Sequence, residues 1–365
     1  MTDLASIRWG IITTGLISSW FVEDLLLTQT DAKVNHIVHA IGASTLEKGQ
    51  KFAAQYCPIQ NPTIYDSYEK VYSDPEVDVV YIGTPHGLHY EECMKAIAAG
   101  KNILCEKAFT MNAKQAREIF EAAEKKNVYI AEAMWLRHRP IYLKLRELIH
   151  ENKIIGDVTR VFSDFASEID IPSLPPTSRY RDLALGAGSL LDIGVYSLTW
   201  LAMALEKNGN NVEMPKILAS QTHEEGIEVA TSAILQYPRG ALGIASCTTK
   251  TKGSPGKIFA VIHGTKGHIE VSGNAPSFPE SFTVWERQAD PGTAEKVLFD
   301  KEQYKNKTYT FPKVGRGFIW EADNTALDVL EGRKQSHFVP WATTIRLLDI
   351  MDEIRRQGGT VYPGE

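Results

Sequence analysis

The chain has 365 residues, of which 43% are hydrophobic, and its formal net charge is −6 with a sequence pI near 6.0. This length favours two domains, and an acidic balance without any basic block argues against nucleic acid as a partner. The sequence has no signal-peptide pattern, no apolar run that looks long enough to span a bilayer, and four scattered cysteines without metal-ligand spacing. We therefore expect a soluble cytoplasmic protein with no membrane contact and no metal site.

Short apolar strands alternate with helical segments in the first third of the chain. A strand at Ile7–Thr13 is followed at once by Gly15 and by apolar residues at helical spacing. Further strands are predicted at His36–Ala43, Val77–Ile82, Asn102–Cys105 and Val128–Ala133, with helices at Tyr90–Ala99 and Ala113–Lys126. This alternation predicts a parallel sheet wound on both sides by helices, which is a Rossmann domain, over residues 1–136.

The turn after the first strand is typical of a dinucleotide-binding unit in a degraded form. The Gly-x-Gly-x-x-Gly/Ala fingerprint reads Thr13-Thr14-Gly15-Leu16-Ile17-Ser18 and keeps only the middle glycine. The next strands end at Ser44, Thr84 and Lys107, and the carboxyl ends of parallel strands are where such sheets bind ligands. The positions of these residues strengthen the dinucleotide interpretation, which the fingerprint alone leaves weak.

The end of the second strand predicts which cofactor is preferred. An NAD-selective unit places a carboxylate there, which hydrogen-bonds the ribose hydroxyls and would repel a 2′-phosphate. This chain has Ser44-Thr45 at that place, with Lys48 close behind, so NADP is expected. Glu47 is the one residue that argues for NAD, although its place in the start of a helix favours a side chain pointing to solvent.

Lys107 directly follows a buried strand, with Glu106 beside it. A lysine at the mouth of a cofactor cleft can hydrogen-bond a reacting hydroxyl and favours the anionic form of a nearby phenol; the alternative is a surface lysine in a loop. His86 and His89 lie three apart in a preceding segment that we interpret as a loop. Since no third ligand accompanies them, they are expected to line the cleft.

The remainder of the chain, residues 137–365, is predicted to form a second domain for substrate binding and dimerisation. Its predicted elements are a helix at Ile141–Ile149, a strand at Asp157–Ser167, strands at Lys216–Thr222, Glu228–Tyr237, Ala241–Thr249, Lys257–Gly264, Gly267–Val271 and Ser281–Arg287, and helices at about Gly317–Glu331 and Ala342–Arg356. Turn signals between these strands predict a large, mainly antiparallel open sheet. Pairing of two uncovered sheet faces in a homodimer is the usual way to bury such a surface.

The stretch Leu185–Leu198 is predicted to be a loop that runs into a helix. Gly186 and Gly188 permit close backbone approach, and Asp192 and Tyr196 are four apart, so they share one helix face. A carboxylate and a phenol on an otherwise apolar segment indicate proton handling. The alternative is that both are satisfied polar groups at the rim of a core.

Taken together, these motifs resemble the glucose–fructose oxidoreductase/inositol dehydrogenase (Gfo/Idh/MocA) family over nearly the whole chain. The resemblance is carried by the Gly10–Ser18 turn, Gly83-Thr84-Pro85 with His89, Glu106-Lys107, Glu132-Ala133-Met134-Trp135, Gly186-x-Gly188-x-x-x-Asp192-x-Gly194-x-Tyr196 and Gly264-Thr265-Lys266-Gly267. Tyr196 and the Glu-Ala-Met-Trp-x-Arg segment look like the branch that holds dimeric dihydrodiol dehydrogenases and NADP-dependent D-xylose 1-dehydrogenases. Thr13, Ser18 and Ala108 depart from the family pattern, which has glycine, a smaller residue and proline there.

The resemblance implies a catalytic Lys107 with an Asp192–Tyr196 pair. The residues expected to contact the cofactor are Thr13, Thr14, Gly15, Leu16, Ile17, Ser44, Thr45, Lys48, Thr84, Pro85, His89, Glu106, Lys107, Trp135 and Arg137. Those expected to contact substrate are His86, Phe165, Arg179, Asp192, Tyr196 and Trp285, where core packing is the alternative for the aromatic rings.

The leading hypothesis is hydride transfer from C1 of an aldopyranose, D-xylose foremost, to NADP, with Tyr196 as base. One alternative keeps the chemistry and takes a trans-dihydrodiol of an aromatic hydrocarbon as substrate. The others are a glycoside hydrolase that uses NAD internally and a regulator that senses NADP without turnover. Retention of Lys107, Asp192 and Tyr196 argues against the regulator.

Overall fold

The computed structural model describes residues 4–29, 32–206, 213–253, 257–288 and 304–365. The chain falls into two compact units. The first contains Met1–Arg139, Ala184–Gly186 and Lys313–Asp349, and the second contains Pro140–Leu183, Ala187–Pro312 and Ile350–Glu365. The sequence predicts a single division after residue 136, whereas the structure also assigns the later segment Lys313–Asp349 to the first unit.

The helices of the described residues follow the predicted periodicity closely. They are α1 Leu16–Leu25, α2 Leu46–Tyr56, α3 Tyr68–Ser73, α4 His86–Ala98, α5 Ala113–Lys126, α6 Pro140–His150, α7 Val195–Leu205, α8 Ile319–Leu330 and α9 Trp341–Gly358. Helix α4 begins four residues before its predicted start, because Pro85 stands immediately before the first helical position with a φ of −60° that suits a helix entry. The short helix α3 was not predicted.

A six-stranded parallel sheet forms the centre of the first unit. Its strands are β1 Ser6–Ile12, β2 Asn35–Gly42, β3 Thr63–Tyr65, β4 Val79–Ile82, β5 Asn102–Glu106 and β6 Ile130–Ala133, in the order β3-β2-β1-β4-β5-β6. Every residue of β4 and β6 is buried, as expected for strands covered on both faces. The predicted Rossmann architecture is confirmed; the three-residue strand β3 is an addition to it.

An eight-stranded sheet forms the centre of the second unit. Its strands are β7 Val158–Ala166, β8 Lys216–Glu224, β9 Ile227–Gln236, β10 Leu242–Thr248, β11 Ile258–Gly264, β12 Gly267–Ala275, β13 Phe278–Arg287 and β14 Tyr304–Thr310, in the order β14-β13-β12-β11-β7-β10-β9-β8. Only β7 and β10 pair in parallel, so the predicted, mainly antiparallel sheet is confirmed. Strand β14 was not predicted.

One face of this sheet carries a row of apolar side chains across five neighbouring strands. The directly paired positions are Leu218, Ile234, Ile244, Phe162 and Val261, which we call the apolar row. Leu218, Ile234 and Phe162 are 57%, 44% and 37% exposed. Because side chains alternate along a strand, the row lies on the face opposite the buried residues of β7.

The helical stretch Leu183–Leu205, counted through its irregular first turns, is long and apolar enough by composition to cross a membrane. The prediction that no apolar run has such a length was therefore wrong. In the structure, 83% of the most apolar part of this stretch is buried inside the protein, and a buried core helix of a soluble protein can have the same length and composition.

Candidate active site

Strands β1 and β4 are adjacent in the first sheet, and the chain leaves them in opposite directions. Strand β1 is followed by β2 on one side, and β4 is followed by β5 on the other. This reversal is a topological switch point, where open α/β sheets bind nucleotides beyond the carboxyl ends of the strands. Thr13 and Thr84 follow shortly after the paired residues Ile12 and Ile82, so both predicted cofactor residues lie at this place.

Thr13 adopts the backbone conformation that the missing glycine would supply. Its φ is +76°, in the left-handed region that favours glycine. Its hydroxyl lies 3.3 Å from the carbonyl oxygen of Gly83 and 3.0 Å from Oγ of Ser18, and it accepts a weak bond of 3.4 Å from the N–H of Gly15. The departure at Thr13 therefore leaves a closed turn, whose shape is held by hydrogen bonds of the threonine hydroxyl.

Ser18 takes the place of the third small residue of the fingerprint, and it is completely buried. A Cβ added to Gly83 would come within 2.5 Å of the Ser18 hydroxyl oxygen, so helix α1 and the end of β4 approach as closely as these small residues allow. Close helix–strand packing is the task of that fingerprint position. Serine therefore performs it without disturbing the turn.

The two helices that start at the switch point lack a side-chain cap. Gly15 precedes α1 and Pro85 precedes α4, and neither residue caps its helix with a side chain. By contrast, α2, α3 and α5 are each capped by a hydroxyl or amide oxygen. The N–H groups of an uncapped first turn have no acceptor within their helix, and a phosphate group can accept hydrogen bonds from them. Leu16, at the first position of α1, is 67% exposed, and its neighbours Thr14 and Ile17 are partly buried.

Thr84 provides a second indication of a ligand. Its side chain is only 5% exposed, and its hydroxyl oxygen has no hydrogen-bond partner among the described residues. Buried hydroxyl groups in folded proteins almost always have a partner. An unpaired hydroxyl beside two uncapped helices fits a dinucleotide, which is rich in hydrogen-bonding groups.

The segment after β2 contains the three residues that the sequence predicts to bind a 2′-phosphate, Ser44, Thr45 and Lys48. Lys48 donates from Nζ to Oγ of Ser44 at 3.0 Å, and the Thr45 hydroxyl accepts the Lys48 N–H at 3.2 Å as the cap of α2. Because the Thr45 oxygen acts as the acceptor, its own hydrogen remains available to donate. Glu47 pairs with Lys51 at 2.7 Å and its side chain is 75% exposed, which confirms that it points to solvent.

His86 and His89 lie on helix α4, so the interpretation of this segment as a loop was wrong. His89 is completely buried; its Nε2 lies 2.7 Å from the carbonyl oxygen of Thr84, and its Nδ1 lies 3.1 Å from those of Ala108 and Phe109. Burial lowers its pKa. His89 thus ties the end of β4 to the segment after Lys107. His86 is also buried, and its Nδ1 lies 3.3 Å from the Gly186 carbonyl oxygen.

Glu106 ends β5 as a buried acid next to Lys107. It accepts a 2.6 Å hydrogen bond from the Tyr81 hydroxyl and a 3.2 Å bond from the Lys107 N–H. Burial raises the pKa of the Glu106 carboxyl to about 7, although the Lys107 charge opposes the shift. The Lys107–Ala108 peptide bond is cis. Lys107 itself is partly exposed at the carboxyl end of the strand, as predicted.

Trp135 and Arg137 occupy a short 3-10 turn after β6. The Trp135 ring is 8% exposed and stacks on Phe318, with 4.6 Å between the ring centroids. Arg137 donates from Nε to the Phe338 carbonyl oxygen at 3.2 Å. Both residues are therefore held by the segment 313–349, which the sequence predicts to belong to the second domain.

In the second unit, Asp192 and Tyr196 lie on consecutive helical segments. Residues Leu190–Gly194 form a π-helical turn that continues into α7, a departure from the ordinary helix that was predicted. Such turns are rare and are frequent at functional sites. The Asp192 side chain is 15% exposed and Tyr196 is 4% exposed.

Arg179 and Asp192, which are both predicted to contact substrate, form an ion pair in the second unit. The two guanidinium nitrogens lie 3.3 and 3.4 Å from the two carboxylate oxygens. Arg179 also donates to the Tyr180 hydroxyl at 2.6 Å and lies over that ring. Burial, followed by the Asp192 charge, raises the Tyr180 pKa. Sequence reasoning missed Tyr180, because a tyrosine in a polar loop carries no distinguishing pattern.

The two aromatic substrate candidates lie on opposite faces of the second sheet. Phe165 is buried and its ring centroid is 5.9 Å from that of Tyr196. Trp285 pairs with His268, which pairs with His263 and, through it, with Arg160 on the exposed side of β7. The Trp285 indole donates to Glu270 at 3.0 Å. The structure therefore does not bring Trp285 together with Tyr196, since the sheet lies between them.

Two sequence models of protein families match this chain. The Gfo/Idh/MocA model described as an oxidoreductase family with an NAD-binding Rossmann fold matches residues 7–133. The model of the Gfo/Idh/MocA C-terminal domain matches residues 142–270.

Curated relatives match nearly the whole chain. The D-xylose 1-dehydrogenase (NADP(+)) of Hypocrea jecorina is 33% identical over 98% of this chain and 93% of its own length. The trans-1,2-dihydrobenzene-1,2-diol dehydrogenase of Xenopus tropicalis is 35% identical over 98% of this chain and 99% of its own. Among solved structures, a levoglucosan dehydrogenase in complex with NADH and levoglucosan superposes with a TM-score of 0.80 at 18% identity, covering 97% of each chain, and supports the fold.

Proposed function

Because the chain belongs to the Gfo/Idh/MocA family of oxidoreductases, we propose that it is an NADP-dependent sugar dehydrogenase. The proposed reaction oxidises C1 of an aldopyranose, with D-xylose as the first substrate to test, to the aldonolactone. The Arg179–Asp192 ion pair is the observation that favours a sugar over a dihydrodiol as the substrate. A polar, charged pair can exchange hydrogen bonds with several hydroxyl groups, whereas a dihydrodiol has only two and is otherwise apolar.

The substrate must lose a hydride from C1 and a proton from O1, so that C1 and O1 become the lactone carbonyl. A bound nicotinamide dinucleotide supplies the hydride acceptor. A sugar hydroxyl is too weakly acidic to ionise by itself, so a base must take its proton as the hydride leaves. Tyr196 is proposed as that base; it is 4% exposed, which limits competition from water.

Lys107 is proposed to hydrogen-bond the reacting oxygen and to stabilise the negative charge that develops on it. Its ammonium group also favours the phenolate form of a nearby tyrosine. Asp192 is proposed to orient the sugar, since two hydrogen bonds from Arg179 fix the position of its carboxylate.

NADP is proposed over NAD. The turn Thr13–Ile17 and the Thr84 hydroxyl would hold the dinucleotide, and Ser44, Thr45 and Lys48 would hold the 2′-phosphate. Two observations support NADP. Lys48 contacts Ser44, which places a positive charge at the end of β2. The Glu47 side chain is exposed and pairs with Lys51, so its carboxylate does not take the place that binds the ribose in an NAD-selective unit. The name of the fungal relative includes NADP, whereas the levoglucosan dehydrogenase was solved with NADH.

The test is a panel of aldoses and one trans-dihydrodiol, each offered with NADP and with NAD, followed by the absorbance of the reduced cofactor. The proposal expects NADPH to accumulate with an aldopyranose alone. Preference for the dihydrodiol would move the assignment to the other group of relatives. Release of a hydrolysis product without net NADPH would indicate internal redox chemistry, and binding of NADP without any turnover would indicate a regulator.

We also propose that the protein is a cytoplasmic homodimer that pairs through the apolar row. The five apolar side chains of the row are paired across neighbouring strands, and a second copy of the chain would bury them together. Sedimentation analysis of the wild type and of Ile234→Asp tests this. Dimers are expected for the wild type and monomers for the variant; a monomeric wild type contradicts the proposal.

A further inference from the structure

The helical segment that carries Asp192 and Tyr196 begins beside a buried carboxylate from another element. Glu228, at the start of β9, is 1% exposed. Its Oε2 accepts the N–H of Leu190 at 2.8 Å, and Leu190 is the first residue of the π-helical turn. Ser189, the residue before that turn, does not cap the turn with its own side chain. Glu228 therefore acts as the cap from outside the helix.

Three donors converge on this one carboxylate. Besides the Leu190 N–H, the hydroxyls of Ser189 and Thr231 donate to Oε1 at 2.5 and 2.7 Å. Hydrogen bonds to an ionised acceptor are stronger than neutral ones, and a negative charge is favourable at a helix N-terminus. The arrangement therefore holds the backbone of residues 189 and 190 firmly.

The loop before the turn is shaped around the same carboxylate. Gly188 has a φ of +141°, and a Cβ at this position would lie 3.1 Å from Oε2 of Glu228 and 3.3 Å from the Tyr362 hydroxyl. Tyr362 donates that hydroxyl to the Ala187 carbonyl oxygen at 3.2 Å. Ala187 also packs in an apolar cluster with Val229, the neighbour of Glu228. The entry to the segment is thus fixed on several sides.

Asp192 is two residues beyond Leu190, and its own N–H bonds to the Gly188 carbonyl oxygen at 3.4 Å. A shift of Leu190 would therefore pass directly into the turn that holds Asp192. We propose that Glu228 is a positioning residue of the reaction: it fixes the first turn of the helix so that Asp192 and Tyr196 meet the substrate in register. This inference rests on the proposed function only for the roles of those two residues.

The substitution Glu228→Gln keeps the volume and removes the charge, so it is the variant least prone to misfolding. Its matched control is Glu206→Gln, the same change at a buried glutamate after the other end of α7, where Glu206 accepts a bond from Tyr237. Misplacement by about 1 Å can cost two orders of magnitude in rate, so kcat of Glu228→Gln is expected to fall about tenfold or more. The KM of Glu228→Gln for NADP should equal that of the wild type, and the kcat of Glu206→Gln should equal the wild-type kcat.

A double-mutant cycle separates positioning from general destabilisation. If Glu228 acts through Asp192, the loss caused by Glu228→Gln should largely disappear in an Asp192→Asn background. An equal loss in both backgrounds would overturn the inference, as would wild-type kcat in the single variant.

Hydrogen–deuterium exchange gives a readout that needs no substrate. Peptides covering residues 189–196 should exchange faster in Glu228→Gln than in the wild type or in Glu206→Gln, since the Leu190 N–H loses its charged acceptor. Unchanged exchange there would refute the positioning role even if the enzyme is active. Conversely, failure of every aldose with NADP would refute the proposed function while leaving the exchange result to decide the role of Glu228.

Discussion

Glu106 makes the stability of the first unit depend on pH in a way that one substitution should remove. The pKa of its carboxyl is about 7 in the folded protein, against 4.5 for an unperturbed glutamate, mainly because of burial. The folded state therefore binds this proton more tightly than the unfolded state does. The resulting stability is fully present below pH 4.5 and is lost as the pH rises through 7.

The size of the effect follows from the two pKa values. Since tenfold in a binding constant corresponds to about 1.4 kcal/mol, the whole difference is worth roughly 3 kcal/mol, most of which falls between pH 5 and pH 8. Glu106→Gln cannot titrate. The free energy of unfolding of the wild type, measured relative to this variant, should therefore fall by about that amount from pH 5 to pH 8.

Urea unfolding followed by circular dichroism, at both pH values, provides the measurement. The control is Glu124→Gln on the exposed face of α5, where the difference from the wild type should be the same at both pH values. Glu321 is also buried and interacts with the Glu106 charge, so Glu321→Gln should show a pH-dependent difference of the same sign. If the wild type and Glu106→Gln lose stability in parallel, Glu106 does not take up a proton in this range and the reasoning fails.

Three further predictions concern the reaction itself. Tyr196→Phe should lower kcat by about 10² or more while NADP still binds, as titrated by cofactor fluorescence; wild-type turnover would remove Tyr196 from the mechanism. Lys107→Met should lower kcat and also raise KM in steady-state assays, and full activity near neutral pH would require another group to support the base. Ser44→Asp should lower or reverse the ratio of kcat/KM for NADP over NAD, and an unmoved ratio would show that Ser44 does not discriminate.

The sequence predicts most elements of this fold because their apolar residues have a clear period. Strand β4 and helix α5 illustrate this, since both were placed with at most two residues of error at either end. The elements that were missed have weak patterns: β3 and α3 are short, and β14 is mostly exposed. A period of buried residues cannot be recognised where few residues are buried.

The strand-end residues of the candidate site were predictable for a topological reason. In a parallel sheet all carboxyl ends lie at one edge, so Thr13, Ser44, Thr84 and Lys107 had to share that edge. Trp285 was not predictable in this way, because its face depends on the register of several strands. Nor does the sequence show that Thr13 reaches a positive φ, which is uncommon for a threonine and is supported by its hydroxyl contacts.

The order of the chain has a consequence for how the protein is made. The first unit includes residues 313–349, and these provide partners for residues far earlier in the chain: the Asp24 carboxylate accepts the N–H groups of Gly317 and Phe318, and Trp341 donates to the Ile130 carbonyl oxygen. During synthesis the six-stranded sheet is therefore complete long before the segment that covers part of it has been translated. A nascent chain released before residue 349 should expose this uncovered apolar surface and bind chaperones, whereas the full-length chain should escape them.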